Sequence, residues 1–156
     1  MSIEDDIFVI EQVPTLRSLG REALRILAIG AESRLVRRGE VLFMAGETAD
    51  CGYVVQDGTF RLEGASKSLG EIVVGPGALL GELALLAETK RPATATANEE
   101  STVIRISRSL FLKMLEGYPD AAHILREQVV ARARQAVEEM SDVRAMLDTS
   151  QAPPPQ

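Results

Sequence analysis

Apolar residues recur at helical spacing near both ends of this chain, and between those ends the pattern shortens to strands. Leu16, Leu19, Ala23, Ile26 and Leu27 fall near a 3.6-residue period, so Pro14–Ala31 is predicted as one helix. Pro14 suits the first turn, where no N–H is bonded within the helix, and Gly30 fits the end. From Ser33 to Ile106 the runs are short: Arg34–Arg37, Val41–Phe43, Tyr53–Gln56, Phe60–Glu63, Ile72–Val74, Thr94–Ala97 and Val103–Ile106. Glycines separate them, as in a small barrel or sandwich of short strands. Leu79–Ala87 interrupts this texture; its Leu, Ala and Glu residues predict one or two helical turns among the strands.

After Ile106 the helical period returns. Ser107 or Ser109 is placed to cap a short helix that Gly117 and Pro119 end. Asp120 is placed to cap a long final helix reaching about Leu147. The order predicts a mainly β, α+β domain over residues 1–148. Its centre is an antiparallel β-roll or jelly-roll, with an N-terminal helix before it, a short helix inserted in it and C-terminal helices after it. Thr149–Gln156, with three consecutive prolines, reads as a disordered tail.

Composition narrows the chemistry. The chain has 156 residues, 46% hydrophobic and 26% charged, enough to bury a core without disulfides or metals. A net charge of -6 argues against a general nucleic-acid binder, which needs clustered Lys and Arg. Cys51 is the only cysteine and His123 the only histidine. One of each makes neither an internal disulfide nor a metal cluster, and supplies no nucleophile–base pair for an enzyme. His123 reads as a helix-surface residue. No run is long and apolar enough for a membrane span, and the acidic stretch from Met1 to Asp6 is unlike a signal peptide, so a cytoplasmic protein is expected.

Two stretches carry a family pattern. In the first, Gly39 to Gly58, glycines close turns and Tyr53-Val54-Val55 leads into a hairpin. In the second, Pro76-Gly77-Ala78-Leu79-Leu80-Gly81-Glu82-Leu83-Ala84-Leu85-Leu86 is followed by Lys90-Arg91-Pro92-Ala93-Thr94-Ala95-Thr96-Ala97. Together these resemble the cyclic nucleotide-binding domain family, over roughly Val13 to Leu147, and the second resembles its phosphate-binding cassette. The resemblance implies a sensor of a cyclic nucleotide rather than a catalyst, with no cofactor.

It also implies roles. Gly81 lets the backbone approach the sugar and phosphate. Glu82 accepts from the ribose 2′-hydroxyl. The N–H groups of Leu83 and Ala84 face the phosphate, as at a helix start. Arg91 neutralises the cyclic phosphate with a planar fork that lysine lacks. Pro92 and Ala93 continue the loop, and Thr94 holds the cassette or touches the ligand. Read without the family, Glu82 and Arg91 would be a surface ion pair.

Pro92 departs from the pattern. The family often carries Ser, Thr or Ala here, with an N–H on the phosphate that proline lacks. Losing one hydrogen bond to a charged group costs about 1.5–3 kcal/mol. The missing hydroxyl favours cAMP over cGMP. Pro92 also supports a different class of function: an interaction module on the same fold that no longer binds nucleotide.

The final helix carries a heptad seam. Ala122, Val129, Ala136 and Val143 recur every seven residues, as do Arg126, Ala133, Met140 and Leu147. The seam fits a homodimer contact, as in bacterial relatives such as catabolite activator proteins, and equally fits packing on the chain's own roll or first helix. No helix-turn-helix follows Leu147 and no kinase or channel segment precedes the domain. The expected output is therefore a protein partner or this domain's own surface, with no DNA and no membrane.

Overall fold

The computed structural model describes residues 2–64, 71–128 and 131. The chain opens with α1 (Ile3–Glu11), a helix not among the elements expected from the sequence. Ser2 caps it: its hydroxyl accepts from the Asp5 N–H while the Asp5 carboxylate accepts from the Ser2 N–H. The predicted helix over Pro14–Ala31 is two helices, α2 (Pro14–Arg17) and α3 (Arg21–Gly30). They part at Gly20, a poor helix former that becomes the N-cap of α3.

Among the described residues ten strands follow, all paired antiparallel. They are β1 (Glu32–Val36), β2 (Val41–Phe43), β3 (Thr48–Ala49), β4 (Cys51–Asp57), β5 (Phe60–Gly64), β6 (Glu71–Val74), β7 (Leu79–Leu80), β8 (Thr89–Lys90), β9 (Ala93–Ala97) and β10 (Ser101–Ser107). One sheet has the order β1-β10-β4-β7, the other β2-β9-β5-β6, and β3 and β8 pair separately. A 3-10 turn, Glu82–Leu85, sits between β7 and β8. Helix α4 (Arg108–Gly117) follows, capped by the Ser107 hydroxyl accepting from the Leu110 N–H. Residues 119–128 are helical, starting at Pro119 rather than after a cap at Asp120.

The architecture is the expected antiparallel roll with helices. Its strand β4 is buried on both faces, and the reason is layering. Val55, with Val36, Phe60, Ala95, Ala97 and Val103, fills the space between the two sheets. Val54, with Ile104 and Ile106 of β10, packs outward on a helical layer of Ile7, Ile10, Leu16, Leu24, Leu27, Phe111 and Met114. One sheet therefore divides two cores, and β4 is buried without a break from Cys51 to Val55. Leu85 of the 3-10 turn belongs to the helical core, so the excursion between β7 and β8 rests on the helices.

Ala121 and Leu125 of the last described helix are buried in that same core. The seam positions beside them differ: Ala122 is half-buried and Arg126 exposed. Val129, Ala133, Ala136, Met140, Val143 and Leu147, like the predicted tail, lie outside the described residues. His123 is exposed and pairs with Glu127 at 3.2 Å, one helical turn on. Among the described residues no helix is long and apolar enough to cross a membrane, and no group of three or more His, Cys, Asp or Glu could hold a metal ion.

Candidate ligand-binding site

A buried cation with no acid paired to it among the described residues marks the site. Arg91 follows β8, and only 5% of it is exposed. Its Nη2 donates to the Cys51 carbonyl at 2.9 Å and lies 3.4 Å from Cys51 Sγ. Its guanidinium carbon sits 4.3 Å from the ring centre of Phe43 and 5.6 Å from that of Tyr53, within cation–π range. Those rings are stacked at 6.0 Å and 23°. Burial, then the Cys51 side chain bonded to it, hold the Tyr53 hydroxyl above the ordinary phenol value, so Tyr53 supplies no anion at neutral pH. Among the described residues no ion pair involves Arg91, and its Nη1 is buried without a hydrogen-bond partner. A buried charge is costly unless an opposite charge or hydrogen bonds meet it. The ion pair between Glu82 and Arg91 that a family-blind reading expects does not form.

Gly81 explains how the fork is admitted. Its φ is +86°, in the left-handed region, and a Cβ there would run into Arg91 Nη1 and stand 3.1 Å from the Cys51 carbonyl. Glycine thus gives the guanidinium its place between β4 and the start of the 3-10 turn. Main-chain bonds fix the other side. Arg91 N donates to the Glu47 carbonyl, and Gly46 N to the Arg91 carbonyl, both at 2.8 Å.

A groove of about 240 Å³ opens on this cluster. Its walls are Phe43, Leu62, Leu79 to Leu83, and Arg91 to Ala93. The lining is mostly apolar with a few convergent polar groups, the pattern of small-molecule sites.

Residues 33–118 match the family described as "Cyclic nucleotide-binding domain". This chain belongs to that family. It is 30% identical over 128 residues to the cyclic AMP receptor protein of Thermus thermophilus, covering 79% of this chain and 58% of that one. This chain thus spans less than two thirds of that relative's length. Two solved structures are similar. A cyclic nucleotide-binding-like protein from Brucella abortus has 45% identity and TM-score 0.63, over 72% of this chain and 98% of its own. The N-terminal domain of a transcriptional regulator from Streptomyces coelicolor has 30% identity and TM-score 0.75, over 85% and 94%.

In this cyclic nucleotide-binding domain most of the expected cassette residues converge. Gly81, Glu82, Leu83, Arg91, Pro92 and Ala93 all line the groove. Leu83 is 60% exposed at its edge. Two residues stand elsewhere. Ala84 is buried, and its N–H donates to the Gly81 carbonyl at 3.1 Å, closing the 3-10 turn. The N–H groups of Glu82 and Leu83 precede that bond, so they replace the expected pair of Leu83 and Ala84 as the turn's leading donors. Thr94 accepts from the Ala45 N–H at 2.9 Å, so it holds the β2–β3 turn against β9, outside the groove lining.

Sequence reasoning missed the cradle of Arg91: Phe43, Tyr53 and the Cys51 carbonyl. They come from β2 and β4, and only sheet stacking brings them together. It also missed Thr15, whose hydroxyl donates to Glu82 Oε1 at 3.1 Å across 67 positions of sequence. A larger cavity, about 390 Å³, lies between the start of α3 and residues 117–121. It shares no lining residue with the groove, and its charged residues Arg21, Glu22 and Asp120 are exposed.

Proposed function

We propose that this domain is a cytoplasmic receptor for a cyclic nucleotide, cAMP in preference to cGMP, which binds in the groove at Gly81, Glu82 and Arg91. The observation that carries the reading is Arg91, a buried guanidinium with an unpartnered Nη1 and no carboxylate beside it among the described residues. A cyclic phosphate is a singly charged anion with two free oxygens, matched to such a fork. Glu82, which also lines the groove, offers a carboxylate to a ribose hydroxyl. The role is regulatory rather than catalytic. Occupancy biases one arrangement of the C-terminal helices over another, and the output passes to a protein partner or a second copy of the chain. In the described part of the last helix, Arg126 of the heptad seam is exposed while Leu125 serves the domain's own core. That arrangement supports an intermolecular use of the seam.

Titration calorimetry with cAMP and cGMP tests the reading. Binding of cAMP with one site per chain, lost in Arg91→Ala, is expected. No heat and no thermal stabilisation with either nucleotide would sink it.

A second reading rests on Pro92, which presents no N–H from the groove wall. In that reading the fold is kept as an interaction module and the pocket has lost its ligand. The same titration separates the two.

A further inference from the structure

We infer that Thr15 is a positioning residue for the Glu82 carboxylate and thereby sets how strongly the site selects a ribose 2′-hydroxyl. The inference rests on the cyclic nucleotide reading above. Thr15 is a polar side chain only 2% exposed, on the four-residue helix α2. Its hydroxyl reaches Glu82 Oε1 at 3.1 Å. Glu82 stands at a wall shared by two spaces: it lines the groove with Arg91, and it lines a small cavity with Thr15, Leu85, Phe111 and Leu125. Thr15 reaches the carboxylate from the helical layer, not from the groove.

The chemistry separates positioning from competition. An ionised carboxylate has about four acceptor sites, so a threonine hydroxyl and a ribose hydroxyl can both donate to it. A glutamate in a 3-10 turn has three side-chain torsions to fix before it can accept from a ligand. Holding one oxygen from behind removes much of that cost, and the gain appears only for ligands that use the carboxylate. A further bond ties α2 down: Gln128 Nε2 donates to the Ser18 hydroxyl at 2.8 Å, and that hydroxyl donates to the Thr15 carbonyl at 3.2 Å. The element that carries Thr15 is thus anchored to the last described helix.

The test compares cAMP with 2′-deoxy-cAMP by calorimetry on the whole chain. Wild type is expected to prefer cAMP. Thr15→Val, which keeps the shape and removes the hydroxyl, should weaken cAMP about five- to tenfold and leave 2′-deoxy-cAMP within about twofold, so the preference collapses. Thr15→Ser should restore it. If Thr15→Val does not fold, Thr15→Ala carries the same comparison with less bulk. A hydroxyl that only satisfied its own burial would shift the melting temperature and leave the preference intact, and that result overturns the inference. Equal loss for both nucleotides also overturns it. If wild type binds neither nucleotide, the cyclic nucleotide reading falls first and this inference with it.

Discussion

The Arg91 side chain and the Cys51 main chain are joined by a 2.9 Å hydrogen bond, and that bond ties the loop after β8 to the first residue of β4. The remaining fork is aimed at Gly81, where only a missing side chain leaves room. An arginine so held has its orientation fixed before any ligand arrives. If a cyclic phosphate occupies the groove, Arg91→Ala should weaken binding by about 2–5 kcal/mol, the range for a desolvated charge contact. Arg91→Lys should recover only part of that, because an ammonium cannot hold the Cys51 carbonyl and a phosphate in one plane. Calorimetry at a single pH and salt checks both, and wild-type affinity in Arg91→Ala would place the ligand elsewhere.

The same isolation of Arg91 makes a prediction for the empty protein. Among the described residues no acid pairs with this cation, and even buried ion pairs are often replaced by apolar residues of similar size at no cost in stability. Phe43 and Tyr53 already provide an apolar bed. Arg91→Met should therefore unfold within about 1 kcal/mol of wild type in urea while losing nucleotide binding. A loss of several kcal/mol without ligand would mean that the guanidinium is a structural strut and not a ligand group.

How much of this was legible follows from which contacts are local. Val41–Phe43 is a strand as its pattern says, and Ser107 caps α4 because cap and first turn adjoin in sequence. The roll and the cassette were legible for the same reason: turn glycines and the run from Pro76 to Ala97 lie in short order. Helix α1 also has a local signal, the Ser2–Asp5 spacing of its capping box. The pairs Arg91–Phe43 and Thr15–Glu82 were not legible. Each joins residues that only the stacking of sheets and helices brings together, and neither leaves a period or a spacing behind. The inward bond of the Ala84 N–H is not legible either, because residue type alone does not tell a 3-10 turn from a longer helix.

Pro92 provides a test in the direction of gain. It lines the groove beside Arg91 and brings no donor. Pro92→Ala adds one N–H, worth up to about 1.5–3 kcal/mol if it reaches the phosphate. Freeing the loop offsets about 0.4–1 kcal/mol of that. Net tighter binding of cAMP is expected, and Pro92→Ser should add a gain for cGMP. Unchanged or weaker binding in both would favour the interaction-module reading.

Two glycines with the same backbone angle should fail in opposite ways. Gly58 and Gly81 both have φ of +86°. At Gly58, in the turn between β4 and β5, an added Cβ meets the Ser101 side chain and stands 2.8 Å from its Cα. Backbone does not move aside, so Gly58→Ala combines left-handed strain with a collision inside the roll. It should cost about 2–4 kcal/mol of stability, measured by urea unfolding. Its folded fraction should still bind nucleotide as wild type, since Gly58 and Ser101 do not line the groove. At Gly81 the nearest obstacle is the far end of a side chain, Arg91 Nη1, with the Cys51 carbonyl oxygen behind it at 3.1 Å. Gly81→Ala should keep more of its stability, losing about 1–2 kcal/mol to the backbone angle, but push the guanidinium off its place. Affinity for cAMP should then fall at least about thirtyfold, the lower end of the effect of Arg91→Ala, and the double variant should be little worse than Arg91→Ala alone. Additive losses in the double variant would mean that Gly81 acts on the ligand directly, through its own backbone, and not through the arginine it admits.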